Sequence, residues 1–196
     1  MKEKVRFQFG FDSGQIFQHA FFVKDIDVAM QYYVNHLGIG PFTCNRGWVS
    51  PKGVYRGSTD NPTLSMAHAF SGHYYVELVQ QHNDKPSMYK EFYDSYGYGL
   101  HHFGFILTAD DYDEKLAGFQ GQGMEVIFTG VPSLGAITCM LSPKEAEARD
   151  YQRNSIGAPN LELIQVAGRT EEFFLGLQKA HDDWDGDSIE MQDPLK

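Results

Sequence analysis

Two histidines and two glutamates stand at matching places in the two halves of this sequence. His19 opens the run HAFFVKDIDVAMQYYVNHLGIG and His102 opens HFGFILTADDYDEKLAGFQGQG, while Glu77 sits in YYVELVQ and Glu162 in NLELIQV. Glu77 follows His19 by 58 residues (19 to 77) and Glu162 follows His102 by 60 (102 to 162). A glutamate centred in an apolar strand is expensive to bury unless it is paired, protonated or bound to a cation, because an isolated buried carboxylate loses several kcal/mol of solvation. Two imidazoles and two carboxylates form a hard-to-borderline donor set that suits Zn²⁺, Ni²⁺, Co²⁺, Mn²⁺ or Fe²⁺. Held by four such ligands, a six-coordinate ion keeps two positions for water or substrate oxygens. Chelation of two neighbouring oxygens makes an adjacent C–H acidic, and Glu162 or Glu77, loosened from the ion, could then act as the base that moves the proton. His73 and Tyr75 are lesser base candidates, on strand parity with Glu77.

The choice between the adjacent His101 and His102 rests on strand alternation. Alternation groups His102, Gly104 and Ile106 with His19, Phe21 and Val23, turns His101 away to stand behind the ligand or at the surface, and leaves room at Gly104 above the metal. His102 is therefore the expected ligand.

These residues need strands and helices to position them, and the pattern supplies both. In each run an apolar strand meets a capping residue, Asp25 or Asp27 in the first copy and Thr108 or Asp110 in the second. Helical spacing follows at Ile26, Met30, Tyr33 and Leu37, and again at Tyr112, Leu116 and Phe119. Glycines then stop each helix, Gly38 in the first and Gly121 with Gly123 in the second. His19 precedes Gly38 by 19 residues and His102 precedes Gly121 by 19, so the chain reads as an internal repeat with an offset of 83 (19 to 102). The repeat divides the chain into a first module at 14–83, a connecting helix at 84–100, a second module at 101–167, and a C-terminal helix with a frayed acidic tail at 168–196.

Composition bounds the partners. The chain has 196 residues, 15 Phe, 11 Tyr and a formal charge of −10, enough apolar mass for a real core and too little clustered positive charge to hold a phosphate backbone or an anionic membrane surface. Cys44 and Cys139 show no paired spacing, which suits free thiols in a reducing compartment. The N-terminal run MKEKVRFQFGFDSGQIFQ lacks the apolar stretch of a secretory signal, and no run is long enough for a membrane-spanning helix. A cytoplasmic protein acting on a small molecule, with no nucleic-acid or membrane partner, is the expectation. The tripeptide GYG at 97–99 is too short to cradle phosphates.

The pattern resembles the glyoxalase, bleomycin-resistance and extradiol-dioxygenase superfamily of vicinal-oxygen-chelate proteins. Within it, VELVQQHNDKPSMYKEFYDSYGYGLHHFGFIL is similar to methylmalonyl-CoA epimerases, through Glu77 and its strand, Pro86, Ser87, Phe92 and GYGLHH. The resemblance spans roughly residues 16–167. It implies an α+β fold of two βαβββ modules packed around a shared metal-binding cleft, plus a C-terminal helix, with a divalent ion at His19, Glu77, His102 and Glu162. It also implies proton-shift chemistry, that of an epimerase, isomerase or glyoxalase-like lyase, often in a homodimer. Epimerases of this type use a further carboxylate from the middle strands of the first module. Here TCNRGWVSPKGVYRGSTDNPTLSMAHAF offers only Asp60, in a loop. Two alternatives stand beside the epimerase-like reading: a non-enzymatic small-molecule binding or resistance protein, and an Fe²⁺ dioxygenase. Loops around 43–65 and 128–158 are expected to set the pocket walls, with the charged stretch SPKEAEARDYQRNSIGAPN covering the pocket.

Overall fold

The computed structural model describes residues 5–131 and 134–196; Met1–Lys4 of the N-terminal reading and Pro132 and Ser133 of the second wall loop lie outside the described residues. Both repeat signals fold as their chemistry dictates. Strand β1 (Ile16–Phe22) ends at Asp25, whose side chain accepts from the amides of Asp27 and Val28 and so caps α1 (Ile26–Tyr32). The helix widens through Tyr33–Leu37 and stops at Gly38, which takes the left-handed conformation (φ 63°) that glycine adopts at no steric cost. Strands β2 (Thr43–Trp48), β3 (Val54–Tyr55), β4 (Leu64–Ser71) and β5 (Tyr74–Gln81) follow. Ser87 then caps the connecting helix α2 (Met88–Tyr96). The second copy runs through β6 (Gly99–Leu107), α3 (Ala109–Gly121) capped by Thr108, β7 (Met124–Gly130), β8 (Ile137–Pro143), α4 (Ala146–Ile156) and β9 (Asn160–Gln165), and α5 (Thr170–Asp182) closes the series.

All nine strands form one sheet in the order β2-β4-β5-β1-β6-β9-β8-β7-β3, two four-stranded modules joined where β1 meets β6 antiparallel, with β3 added at the far edge. That addition forces the sheet to curl. Laid flat, β2 and β3 would lie eight strand spacings apart, about 38 Å. The link from Trp48 to Val54 can span only about 20 Å. The link therefore crosses the mouth of a cleft and ties the first module to the second. Arg56, at φ 44°, secures the crossing through ion pairs to Glu91 and Glu125, both at 2.9 Å.

Packing divides between the two faces of this curled sheet. Helix α1 covers the outer face of the first module with Ile26 and Met30 against Val76 and Leu78, and α3 covers that of the second with Tyr112 against Leu161 and Leu163. The inner face is filled from both ends. At one end α2 brings Met88, Tyr89 and Phe92 over Phe22 and Val79. At the other, the N-terminal Phe7, Phe9 and Phe11 and the α5 pair Phe173 and Phe174 close over Phe17, Phe70 and Tyr75. Phe174 lies edge-on to Tyr75 at 5.2 Å and to Phe17 at 5.1 Å, so it joins the C-terminal helix to both central strands. Phe174→Ala is expected to cost about 3–5 kcal/mol, the range for emptying a buried aromatic site, seen as a lower midpoint in urea unfolding with an unchanged slope.

Two segments differ from their sequence expectation. The charged stretch before the last strand is the helix α4, and none of its residues reaches the cavity described below; with Arg149 donating to the carbonyls of Pro143 and Lys144, it is held against the outside of the second module. The acidic tail is strapped down rather than frayed. The Phe42 amide donates to the Ile189 carbonyl at 2.9 Å and the Met191 amide to the Phe42 carbonyl at 2.8 Å, Arg46 holds Glu190 with two nitrogens, and Trp184 packs against Gly40. One of its acidic residues, Glu190, is the partner of a cation far away in sequence.

Candidate active site

Glu77, His102 and Glu162 meet at the centre of the curled sheet, with one donor atom of each within 4.8 Å of the others. The pairing of strands explains the meeting. Gly104 lies beside Glu162 in the β6–β9 pair and Ala20 beside Glu77 in the β1–β5 pair, while Ala20 faces His102 across the β1–β6 junction. His102 Nε2 lies 3.2 Å from Glu162 Oε2 and 3.5 Å from Glu77 Oε2.

His19 is not in this cluster. Its ring lies on the outer face between Tyr74 (4.5 Å) and Phe103 (4.9 Å), and Gln18 stands in the place expected for it. The Gln18 side-chain amide donates to Glu77 Oε2 at 2.7 Å and lies 3.4 Å from His102 Nε2. The cause is a break in alternation. The β1–β6 register shifts between Ile16 and Gln18, so Phe17, stacked on Tyr75 at 5.1 Å, and Gln18 both face inward and His19 turns out. A one-residue slip of this kind reverses the face of every later side chain in a strand. Gly104 makes room for Gln18 rather than for an ion, since an added Cβ there would collide with the Gln18 side chain.

A second shift, between Ala20 and Phe21, leaves His101 as the extra residue of β6. Of the two places expected for His101, it takes the one behind His102 and not the surface. It is fully buried among Tyr89 and Phe92 of α2, with its Nδ1 2.8 Å from His102 Nδ1 and its Nε2 3.3 Å from the Met88 carbonyl. Burial and the neighbouring His102 hold His101 well below the usual imidazole range, so it is neutral. Its Nε2–H donates to Met88 and its Nδ1 accepts from His102, which directs the other nitrogen of His102 at the carboxylates.

The cluster is electrostatically tense. Burial opposes charge on His102, but hydrogen bonds to Glu162 and Glu77 win and push it up to about 9. Burial also raises Glu77, yet its hydrogen bond with His102 and the nearby His68 carry it below the ordinary value. Glu162 is raised, by burial first and then by the charge of Glu77 against the opposing pull of His102. Gln18 Oε1 is buried with no hydrogen-bond partner.

Gln18, Glu77 and Glu162 open onto a cavity of about 480 Å³, within the range of small-molecule sites. Of the two expected wall loops, the first contributes Thr43 to Leu64, and the second contributes only its early part, Phe128 to Thr138. The tail adds Met191, Asp193 and Lys196. Asp60 is exposed, paired with Lys85 at 2.5 Å, and is not a wall residue. His73 is exposed in the β4–β5 turn. Sequence reading passed over His68, which lines the cavity opposite Glu77 in the β4–β5 pair, with Nδ1 2.8 Å from the Tyr75 hydroxyl and 3.9 Å from Glu77 Oε1. Its parity with Met66 and Phe70 on one strand was the available signal.

Residues 17–138 match the family model of the Glyoxalase/Bleomycin resistance protein/Dioxygenase superfamily, more than half of the chain. The chain belongs to that superfamily. Solved structures similar to it include a hypothetical protein from Bacillus halodurans (17% identity, TM-score 0.52, covering 79% of this chain and 96% of that one). A methylmalonyl-CoA epimerase from Mycobacterium tuberculosis is similar at 17% identity and TM-score 0.50, covering 80% of this chain and 89% of that one. A variant of the Streptomyces coelicolor methylmalonyl-CoA epimerase, in complex with 2-nitronate-propionyl-CoA, is similar at 19% identity and TM-score 0.51, covering 79% and 96%. At these identities the likeness shows the fold. No curated protein matches the sequence significantly. Among the described residues, no helix is long and apolar enough to cross a membrane.

Proposed function

We propose that this superfamily member is a metal-dependent enzyme that binds a small oxygen-chelating substrate and moves a proton next to the chelated oxygens, as an epimerase, isomerase or glyoxalase-like lyase does. The convergence of Glu77, His102 and Glu162 on one point, with Gln18, Glu77 and Glu162 opening onto a cavity, carries this reading. The donor set fits a divalent ion. Ligand atoms bound at about 2.0–2.2 Å lie roughly 3–3.5 Å from one another, and His102 Nε2 stands 3.2 and 3.5 Å from the two carboxylates. A half-turn of the Gln18 amide exchanges its nitrogen for the orphaned Oε1 and supplies a fourth donor in place of the expected His19. Bound there, a divalent ion supplies Lewis-acid polarisation of the substrate oxygens.

The chain's own residues supply the rest. Burial lowers His68 below the ordinary imidazole value, so it is neutral near pH 7. With Nδ1–H donating to Tyr75, its Nε2 is a free base in the cavity wall, outside the metal-ligand set. We assign His68 the proton transfer, a role that otherwise falls to Glu77 or Glu162 only by release from the ion. His101 holds the His102 ring, and the apolar inner face excludes water. A two-His dioxygenase triad is disfavoured, because His102 is the single histidine of the cluster. A metal-free binding pocket is disfavoured by a buried carboxylate, Glu77, and a half-buried one, Glu162, brought together at its wall.

The reaction class is tested by α-hydrogen exchange in D₂O, followed by NMR on metal-loaded protein with methylmalonyl-CoA and with α-keto and α-hydroxy acids. Exchange without oxygen uptake is expected for one of these classes; oxygen uptake with no exchange would refute it. Gln18→Ala is expected to weaken metal binding by about 10–100-fold, and His19→Ala to leave it unchanged, by titration calorimetry. The affinity is also expected to depend on pH. An ion needs the neutral imidazole, and His102 in the metal-free protein holds its proton up to about 9. Apparent affinity should therefore rise about tenfold per pH unit through neutrality and level off above about pH 9.

A further inference from the structure

We propose that the cavity selects a compact, phosphate-free oxygen chelator that carries a ring, of the aryl α-keto or α-hydroxy acid kind, and excludes coenzyme A thioesters. The chelating end of this proposal rests on the metal site proposed above; the argument from the walls does not.

Away from the carboxylates the walls are broad and apolar. Trp48, Tyr55, Met66, Phe128, Phe173 and Met191 surround the space, drawn from six separate parts of the chain. Aromatic walls of this kind recognise a ring by apolar burial and by edge or face contacts. The volume of about 480 Å³ is ample for a ring with its chelating group. The tail and the β2–β3 crossing limit extension outward.

A coenzyme A thioester presents several phosphate charges, which proteins hold with arginine forks, lysines or helix N-termini. The cations beside this cavity are already matched by carboxylates. Arg46, next to the wall residue Asn45, holds Glu190 and Asp27. Arg56, next to Tyr55, holds Glu91 and Glu125. Lys85, which donates to the Asn61 carbonyl, pairs with Asp60, and Lys196 stands 3.7 Å from Asp193. Lys52, the other cation of the crossing loop, is exposed and alone there, a single charge where a nucleotide carries several. A phosphate approaching any of these cations meets the carboxylate already beside it, whose like charge opposes the approach. With a net charge of −10, the long-range field of the protein also repels a polyanion.

The test compares binding of phenylpyruvate, pyruvate and methylmalonyl-CoA to the full chain, Zn²⁺-loaded and metal-free, by calorimetry. The expected result is phenylpyruvate at least about tenfold tighter than pyruvate, no measurable methylmalonyl-CoA binding, and a phenylpyruvate preference that collapses in Trp48→Ala and in Phe128→Ala. Phenylpyruvate no tighter than pyruvate would overturn the proposal. So would methylmalonyl-CoA binding within tenfold of phenylpyruvate. Phenylpyruvate bound as tightly without Zn²⁺ as with it, and still in preference to pyruvate, would uphold the pocket assignment while overturning chelation.

Discussion

Replacing His68 by Gln is expected to lower solvent deuterium exchange into the substrate by about 10²–10⁴-fold, the range for losing a positioned general base, while leaving bound metal stoichiometric. The separation of the two readouts matters. His68 lies 3.9 Å from Glu77 and could be supposed merely to support it, in which case metal affinity and exchange would fall together. Glutamine keeps a polar group within reach of Tyr75 and cannot take a proton at neutral pH. The pH profile gives a further distinction, because a neutral buried imidazole contributes an ascending limb below the ordinary imidazole value that His68→Gln should abolish. Unchanged exchange in the variant would return the proton transfer to Glu77 or Glu162.

Glu77→Ala is expected to have the larger effect on the metal. It removes an anionic donor and the acceptor of the Gln18 amide in one step. Loss of a supporting group, or of a neutral donor such as Gln18, is expected to weaken metal binding about 10–100-fold, so removing an anionic ligand should exceed about 100-fold. In the metal-free protein the same change takes away one of the two carboxylates that keep His102 protonated, so the His102 value should fall from about 9 toward the ordinary range. Histidine NMR titration of both proteins checks this, and an unmoved His102 would show that Glu162 alone controls it.

The strand, cap and helix runs were legible because each depends on local chemistry: Asp25 and Thr108 cap as short polar side chains do, whereas the connecting helix starts after Ser87 and leaves Pro86 outside its first turn. Glu77 and Glu162 were legible because an acid inside an apolar strand has few innocent explanations. His19 misled for a definite reason. Alignment on the helix stops matched Gly38 with Gly121, whereas α3 runs through Gly121 and turns at Gly123 (φ 88°), and the inward turn at Phe17 and Gln18 shifts β1 by one residue. No residue type in FQHAFF announces that shift, because it arises from pairing with β6. The fold of the tail was equally hidden, since Glu190 finds Arg46 across 144 residues. His68 was missed because a histidine in a strand of small and apolar residues gains meaning only from the glutamate beside it on β5.

The central claim is a divalent-metal site built by residues from both modules, and elemental analysis of freshly purified protein tests it most directly. Wild-type protein is expected to carry close to one equivalent of a divalent metal, or to take it up from Zn²⁺, Ni²⁺, Co²⁺, Mn²⁺ or Fe²⁺ on reconstitution, while a Glu77→Ala, Glu162→Ala double variant carries none. Wild-type protein that takes up none of the five, or a double variant that retains metal at the wild-type level, would contradict the account.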